Sequence, residues 1–105
     1  MDLRNDRGEA SAAFYDKRRK WLDFTCEMEA LSDRAFRVGH WLAKRMNGHD
    51  QCCWYTQAQI AKLMGKSQAY VIRATAELED EGVLIIVKEH RKPNRYFIRL
   101  PFDFG

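Results

Sequence analysis

The 105-residue chain predicts one mainly α domain with a small β-hairpin towards its end. Three observations carry that expectation. Apolar residues recur at helical spacing through most of the stretch from Phe14 to Leu78. Ser or Thr caps and Gly stops divide that stretch into separate helices. Beyond Gly82 the period changes to that of a strand. A chain of this length buries roughly two-thirds of the surface its unfolded form exposes, enough for one core that needs no disulfide or metal.

Residues 1–13 are small or polar and carry charges of both signs, so they are expected to form a flexible tail. From Phe14 onward, Trp21, Leu22, Thr25 and Met28 fall near one face of a segment otherwise rich in Lys, Arg, Asp and Glu. This predicts an amphipathic helix over about residues 10–29, with 14–31 as a unit for packing or dimerisation. Ser32 followed by Asp33 caps a second helix, built on Ala35, Val38, Leu42 and Met46 and stopped at Asn47-Gly48. Cys52-Cys53-Trp54-Tyr55 is apolar and rich in strand formers, which predicts a short edge strand. Thr56 caps a third helix with Ile60, Ala61, Leu63 and Met64 at its apolar positions, and Gly65 ends it. Ser67 caps the fourth, with Val71, Ala74, Thr75 and Leu78 inward and Gly82 after its acidic end. The runs VLIIVKEH and RYFIRL then form a hairpin around RKPN, with Pro93 at the tip, where a missing N–H removes no ladder bond.

Helix, short strand, helix, tight link, helix, hairpin is the element order of a winged helix-turn-helix: a three-helix core plus wing over residues 32–105, preceded by the N-terminal amphipathic helix. The stretch Trp54-Tyr55-Thr56-Gln57 through Ile60-Ala61, Leu63, Gly65, Ser67, Val71, Ala74, Leu78 and Gly82 resembles a group of bacterial, phage and plasmid helix-turn-helix proteins. That group includes replication-initiator-like and regulatory members. Asn94-Arg95-Tyr96 ahead of Leu100 is similar to its second wing strand. The resemblance covers about residues 21–100. It implies sequence-specific binding of double-stranded DNA by a transcriptional regulator, or by an accessory factor for the replication or transfer of a mobile element. Tyr55 stands where the group more often has Pro, and Lys66, Gln68 and Ala69 depart from its usual aliphatic-then-polar pattern.

Physical chemistry points the same way. With Val71, Ala74 and Leu78 inward, the opposite face of the fourth helix carries Gln68, Ala69, Ile72 and Arg73, the expected base-reading residues. Gln pairs with adenine and Arg with guanine through two bonds, each pair worth about 1–3 kcal/mol of discrimination, and Ile72 suits a thymine methyl. Thr56, Gln57, Lys66, Ser67 and Tyr70 are expected at phosphates, where hydroxyls, a cation and free N–H groups of a helix start meet an anion. At the wing, His90, Arg91, Lys92, Asn94 and Arg95 are expected to take phosphates or the minor groove.

Eighteen Lys and Arg against fifteen Asp and Glu leave a net charge of +3, which excludes a histone-like polycation. The excess lies in residues 32–55, with four basic against two acidic residues, and in 83–105, with five against two. Glu77, Glu79, Asp80 and Glu81 crowd the far end of the fourth helix and leave Lys62, Lys66 and Arg73 ahead of them without an acid. Helix front and wing tip are therefore expected to form one basic surface.

Other chemistries find little support. Three cysteines, two of them adjacent, do not make a secreted disulfide framework. Adjacent cysteines on a strand point to opposite faces, and there is no CxxC pair, so His40, His49, Cys52 and Cys53 are expected to hold no metal. No cofactor is expected. No enzyme is expected either, because there is no glycine-rich phosphate loop and no Ser/His/Asp or Cys/His arrangement. Trp21, Trp41 and Trp54 are expected in the core, and Lys17-Arg18-Arg19-Lys20 on a solvated helix face. The absence of a signal-like apolar segment or a bilayer-length run points to a cytoplasmic location without a membrane. The partners expected are duplex DNA and a second copy, a homodimer formed through Phe14, Trp21 and Met28. The alternative for that face is packing on its own domain. The alternative to DNA is a protein-interaction module in which Ile72, Phe97 and Pro101-Phe102-Asp103-Phe104 dock on a larger replication or transcription partner.

Overall fold

Side-chain caps and two left-handed glycines, Gly65 and Gly82, set helix boundaries in the computed structural model, which describes residues 3–103. The order is α1 (Leu3–Glu27), α2 (Asp33–Lys44), β1 (Cys53–Tyr55), α3 (Gln57–Met64), α4 (Gln68–Asp80), β2 (Leu84–Val87), β3 (Asn94–Ile98) and a 3-10 turn (Pro101–Asp103). The Ser32 hydroxyl accepts from the Ala35 amide, and the Ser67 hydroxyl from the Tyr70 amide. Thr56 makes a full capping box: its hydroxyl accepts from the Gln59 N–H and its own N–H donates to Gln59 Oε1. Gly65 closes α3 at φ 67°, a conformation that reverses the chain tightly enough for Ser67 to begin α4.

The three strands run antiparallel in the order β1-β3-β2, so β3 is central and β1 is the edge strand expected. Tyr96 pairs with Cys53 on one side and Ile86 on the other, while Ile98 pairs with Leu84. Alternation sends Tyr96 and Ile98 into the core with Leu84 and Cys53, and Arg95, Phe97, Trp54 and Ile85 to the outer face. Three helices and this sheet form a winged helix-turn-helix, with the β2–β3 connection as the wing, and α1 packs on this domain through Trp21, which meets α2 at Gly39.

Val38 and Leu42 of α2 share one core with Val71, Ala74 and Leu78 of α4. Gly39 marks the closest approach: a Cβ there would lie 2.9 Å from the Trp21 ring and 3.3 Å from Leu78. Glu77 ties α4 to the start of α2. The Ser32 N–H donates to Glu77 Oε1 at 2.6 Å and the Ser32 hydroxyl to Oε2 at 2.7 Å. Both bonds favour the ionised carboxylate and hold it below the ordinary glutamate value of 4.5. A depressed folded value stabilises the fold fully above pH 4.5 and is lost as pH falls through the lower folded value. Thermal melts followed by circular dichroism between about pH 3 and 6 should therefore show a flatter Tm profile for Glu77→Gln than for the parent. Parallel profiles would remove Glu77 from the acid response.

Several expectations are corrected. Residues 3–13, expected as a loose tail, belong to α1. Small residues such as Ala10, Ala12 and Ala13 show no apolar period, yet alanine is the strongest helix former. Buried Gly48 also packs there, since a Cβ on it would fall 1.9 Å from the Ser11 hydroxyl, and Gln51 Nε2 donates to Ala10 O at 3.4 Å. The face weighed as a dimer seam is filled by the chain's own domain. Phe14 is buried, Met28 is half-buried against the core, and Trp21 is 0% exposed. The Trp21 indole N–H donates to Val83 O at 2.8 Å.

Of the other two tryptophans, Trp41 is half-buried and packs against the core, whereas Trp54, expected there too, is 48% exposed, because its neighbour Cys53 takes the inward register of β1. Cys52 and Cys53 are both buried, since Cys52 lies just outside the strand and escapes its alternation. The Cys53 thiol donates to Leu42 O at 3.7 Å, and burial pushes its pKa up to about 12. Among the described residues no three or more of His, Cys, Asp and Glu gather as a metal would need, and no helix is long and apolar enough to cross a membrane.

Candidate nucleic-acid interface

α4 divides cleanly into two faces. Val71, Ala74, Thr75 and Leu78 are buried, which leaves Gln68, Ala69, Ile72 and Arg73 together on the exposed side, with Ile72 44% exposed. Thirteen residues give a rod about 20 Å long, and the major groove is about 12 Å wide, so the exposed front half can enter it. Arg73 has no ion-pair partner among the described residues, and Glu79, Asp80 and Glu81 sit exposed at the opposite end of the helix.

The residues expected at phosphates are drawn partly into the fold. The Thr56 and Ser67 hydroxyls accept from their own helices and keep a hydrogen to donate outward. Gln57 is turned inward: its Nε2 donates to Thr75 Oγ1 at 3.4 Å, so its outward contribution is the amide at the start of α3. Lys66 lies with its Nζ 5.2 Å from the centre of the Tyr70 ring, and both are half-buried at the start of α4.

At the wing, His90, Arg91 and Lys92 are exposed at the tip, where Arg91 adopts φ 60°. Asn94 and Arg95 instead belong to β3 and are half-buried. Asn94 Nδ2 donates to the Tyr96 hydroxyl at 3.4 Å, and the Arg95 guanidinium lies 5.3 Å from the Phe97 ring centre. Sequence reading missed Glu89, which pairs with Lys92 at 3.4 Å and with Arg95 at 3.9 Å. The exposed Lys92 pair is weak and exchanges readily for a phosphate. The C-terminal aromatics proposed for protein docking divide as well. Phe102 is 60% exposed with its ring edge-to-face on Phe24 at 5.3 Å, and Phe104 lies outside the described residues.

Also missed were the exposed cations Arg37 and Lys44 on α2 and Arg45 at its C-terminal cap. The positive excess of residues 32–55 was their only signal in the sequence.

Residues 29–84, just over half of the chain, match the sequence model of a family described as a helix-turn-helix domain. That segment runs from before α2 to the first residue of β2 and so contains the two helices and tight link described above. Among curated proteins no sequence matches the chain. Among solved structures it is similar to the transcriptional regulator BldR from Sulfolobus solfataricus, with a TM-score of 0.51 and 10% identity over 94% of this chain and 70% of that chain. At that identity the likeness is one of fold.

Proposed function

The chain belongs to the helix-turn-helix domain family, and from that premise we propose that it is a transcriptional regulator that binds double-stranded DNA in a sequence-specific manner. α4 enters the major groove, where Gln68, Ile72 and Arg73 read base edges and the small Ala69 lets the helix approach closely. Thr56, Ser67 and Lys66, the start of α3 at Gln57, and Tyr70 fix the phosphates beside it. His90, Arg91 and Lys92 reach the flanking backbone from the wing, and Asn94 and Arg95 hold the wing strand in position. The observation that carries this reading is the exposed front of α4, which holds Gln68 and Arg73 and no acid, together with a wing tip that exposes His90, Arg91 and Lys92. The likeness in fold to BldR, itself a transcriptional regulator, supports it. The Phe14 and Trp21 face is filled by the chain's own domain and is not left open to a second copy.

Selection of bound duplexes from a random pool tests the reading directly. The expected result is a single enriched motif a few base pairs long. Retention of the pool without any shared motif would overturn sequence-specific recognition.

A further inference from the structure

Between α2 and α3 lies a groove of about 410 Å³, lined by Arg37, Trp41 and Lys44 of α2, by Arg45 that caps it, and by Leu63 and Met64 of α3. Arg37 and Lys44 stand opposite the buried residues Val38 and Leu42 that join α2 to the common core. The groove therefore opens on the outer side of α2, away from the exposed face of α4.

Its floor is apolar. Leu63 is 63% exposed, more than any other large hydrophobic residue among those described, and Trp41 is half-buried, with its ring edge-to-face on Tyr55 at 5.1 Å. Its rim is cationic and unpaired. Arg37, Lys44 and Arg45 make no ion pair among the described residues, whereas Arg19 and Lys20 close on Asp16, and Lys92 and Arg95 on Glu89. Arg45 is held in place: its guanidinium lies 3.5 Å over the Trp41 ring, and Nη1 donates to Trp41 O at 3.0 Å. Cations gathered without an acid repel one another, and an anionic ligand removes that repulsion.

The two properties together select the ligand. A nucleic-acid backbone would match the rim but offers nothing to Leu63. The half-buried ring of Trp41 offers a base little platform, since Arg45 lies over a face and Tyr55 packs on it in a T-shaped contact. A peptide carrying carboxylates and apolar side chains on one helical face matches both rim and floor. We propose that the α2–α3 groove binds an acidic amphipathic segment of a partner protein, and that it does so while α4 holds DNA.

A displayed library of random peptides, selected on the intact chain, tests this, with the enriched peptides then measured by fluorescence anisotropy. Enriched peptides should combine Asp or Glu with Leu, Phe or Trp at spacings of three or four. They should bind at least about tenfold more weakly to Leu63→Ser and to the double variant Arg37→Glu with Lys44→Glu, and equally well with duplex DNA present. All three side chains are exposed, so the variants should keep the parent's thermal melt. Peptides without acids, unchanged binding to both variants, or displacement by DNA would each overturn the proposal. So would loss of duplex affinity in the double variant with peptide binding intact, which assigns the rim to DNA. Sedimentation showing a dimer that Leu63→Ser abolishes would overturn it in favour of a second copy of this chain.

Discussion

Trp21→Ala is expected to lower the unfolding free energy by about 3–5 kcal/mol, with Tm falling by about 15 °C or more, read from urea and thermal unfolding. Trp21 is fully buried and reaches α2 at Gly39, so its removal loses a large apolar surface and leaves a cavity between two packed helices. The hydrogen bond contributes less. Val83 O also accepts from the Arg99 N–H at 3.0 Å, so it keeps a partner when the indole is gone. Trp21→Phe keeps most of the ring and gives up that bond, and is expected to cost only about 1 kcal/mol plus the smaller ring's deficit. The difference between the two variants separates packing from hydrogen bonding. A loss under about 1 kcal/mol for Trp21→Ala would mean that α1 unfolds separately from the core.

Arg73→Ala is expected to weaken binding to the selected DNA motif by about 1–3 kcal/mol while changing affinity for random duplex little. The reason is position. Arg73 lies on the exposed face of α4 and is free of any acid among the described residues, so its guanidinium is available for a base edge. Lys92 provides the contrast. Its pairing with Glu89 is exposed and weak, and at the wing tip it meets phosphate, which carries no sequence. Lys92→Ala should weaken binding to every duplex alike and reduce the salt slope by about one. Equal loss on motif and random DNA for Arg73→Ala would falsify its base-reading role.

Punctuation made most of the fold legible in the sequence. Ser32, Thr56 and Ser67 cap helices where their side chains predict, and Gly65 turns the chain as its position requires, because caps and left-handed turns are settled within a few residues. What depends on distant partners was not legible. The extension of α1 to Leu3 has no apolar period to announce it and is met by a loop far along the chain, through Gly48 and Gln51. Trp54 faces outward because β1 pairs with β3 in a register that no local signal encodes. The same division runs through the site. The exposed face of α4 follows from helical spacing alone. The inward turn of Gln57 onto Thr75 and the pairing of Glu89 with two wing cations are tertiary facts.

The central place of β3 has a consequence for biosynthesis. A ribosome makes β1 long before the strand that pairs with it, and in that interval Cys53, Trp54 and Tyr55 form an apolar segment with unmatched backbone N–H and C=O groups. α3 and α4, whose contacts are local, can assemble meanwhile, but the sheet cannot. The nascent domain is therefore most exposed to mispairing with neighbouring chains during translation of the segment between Tyr55 and Asn94. Arrival of β3, more than formation of any helix, ends that interval.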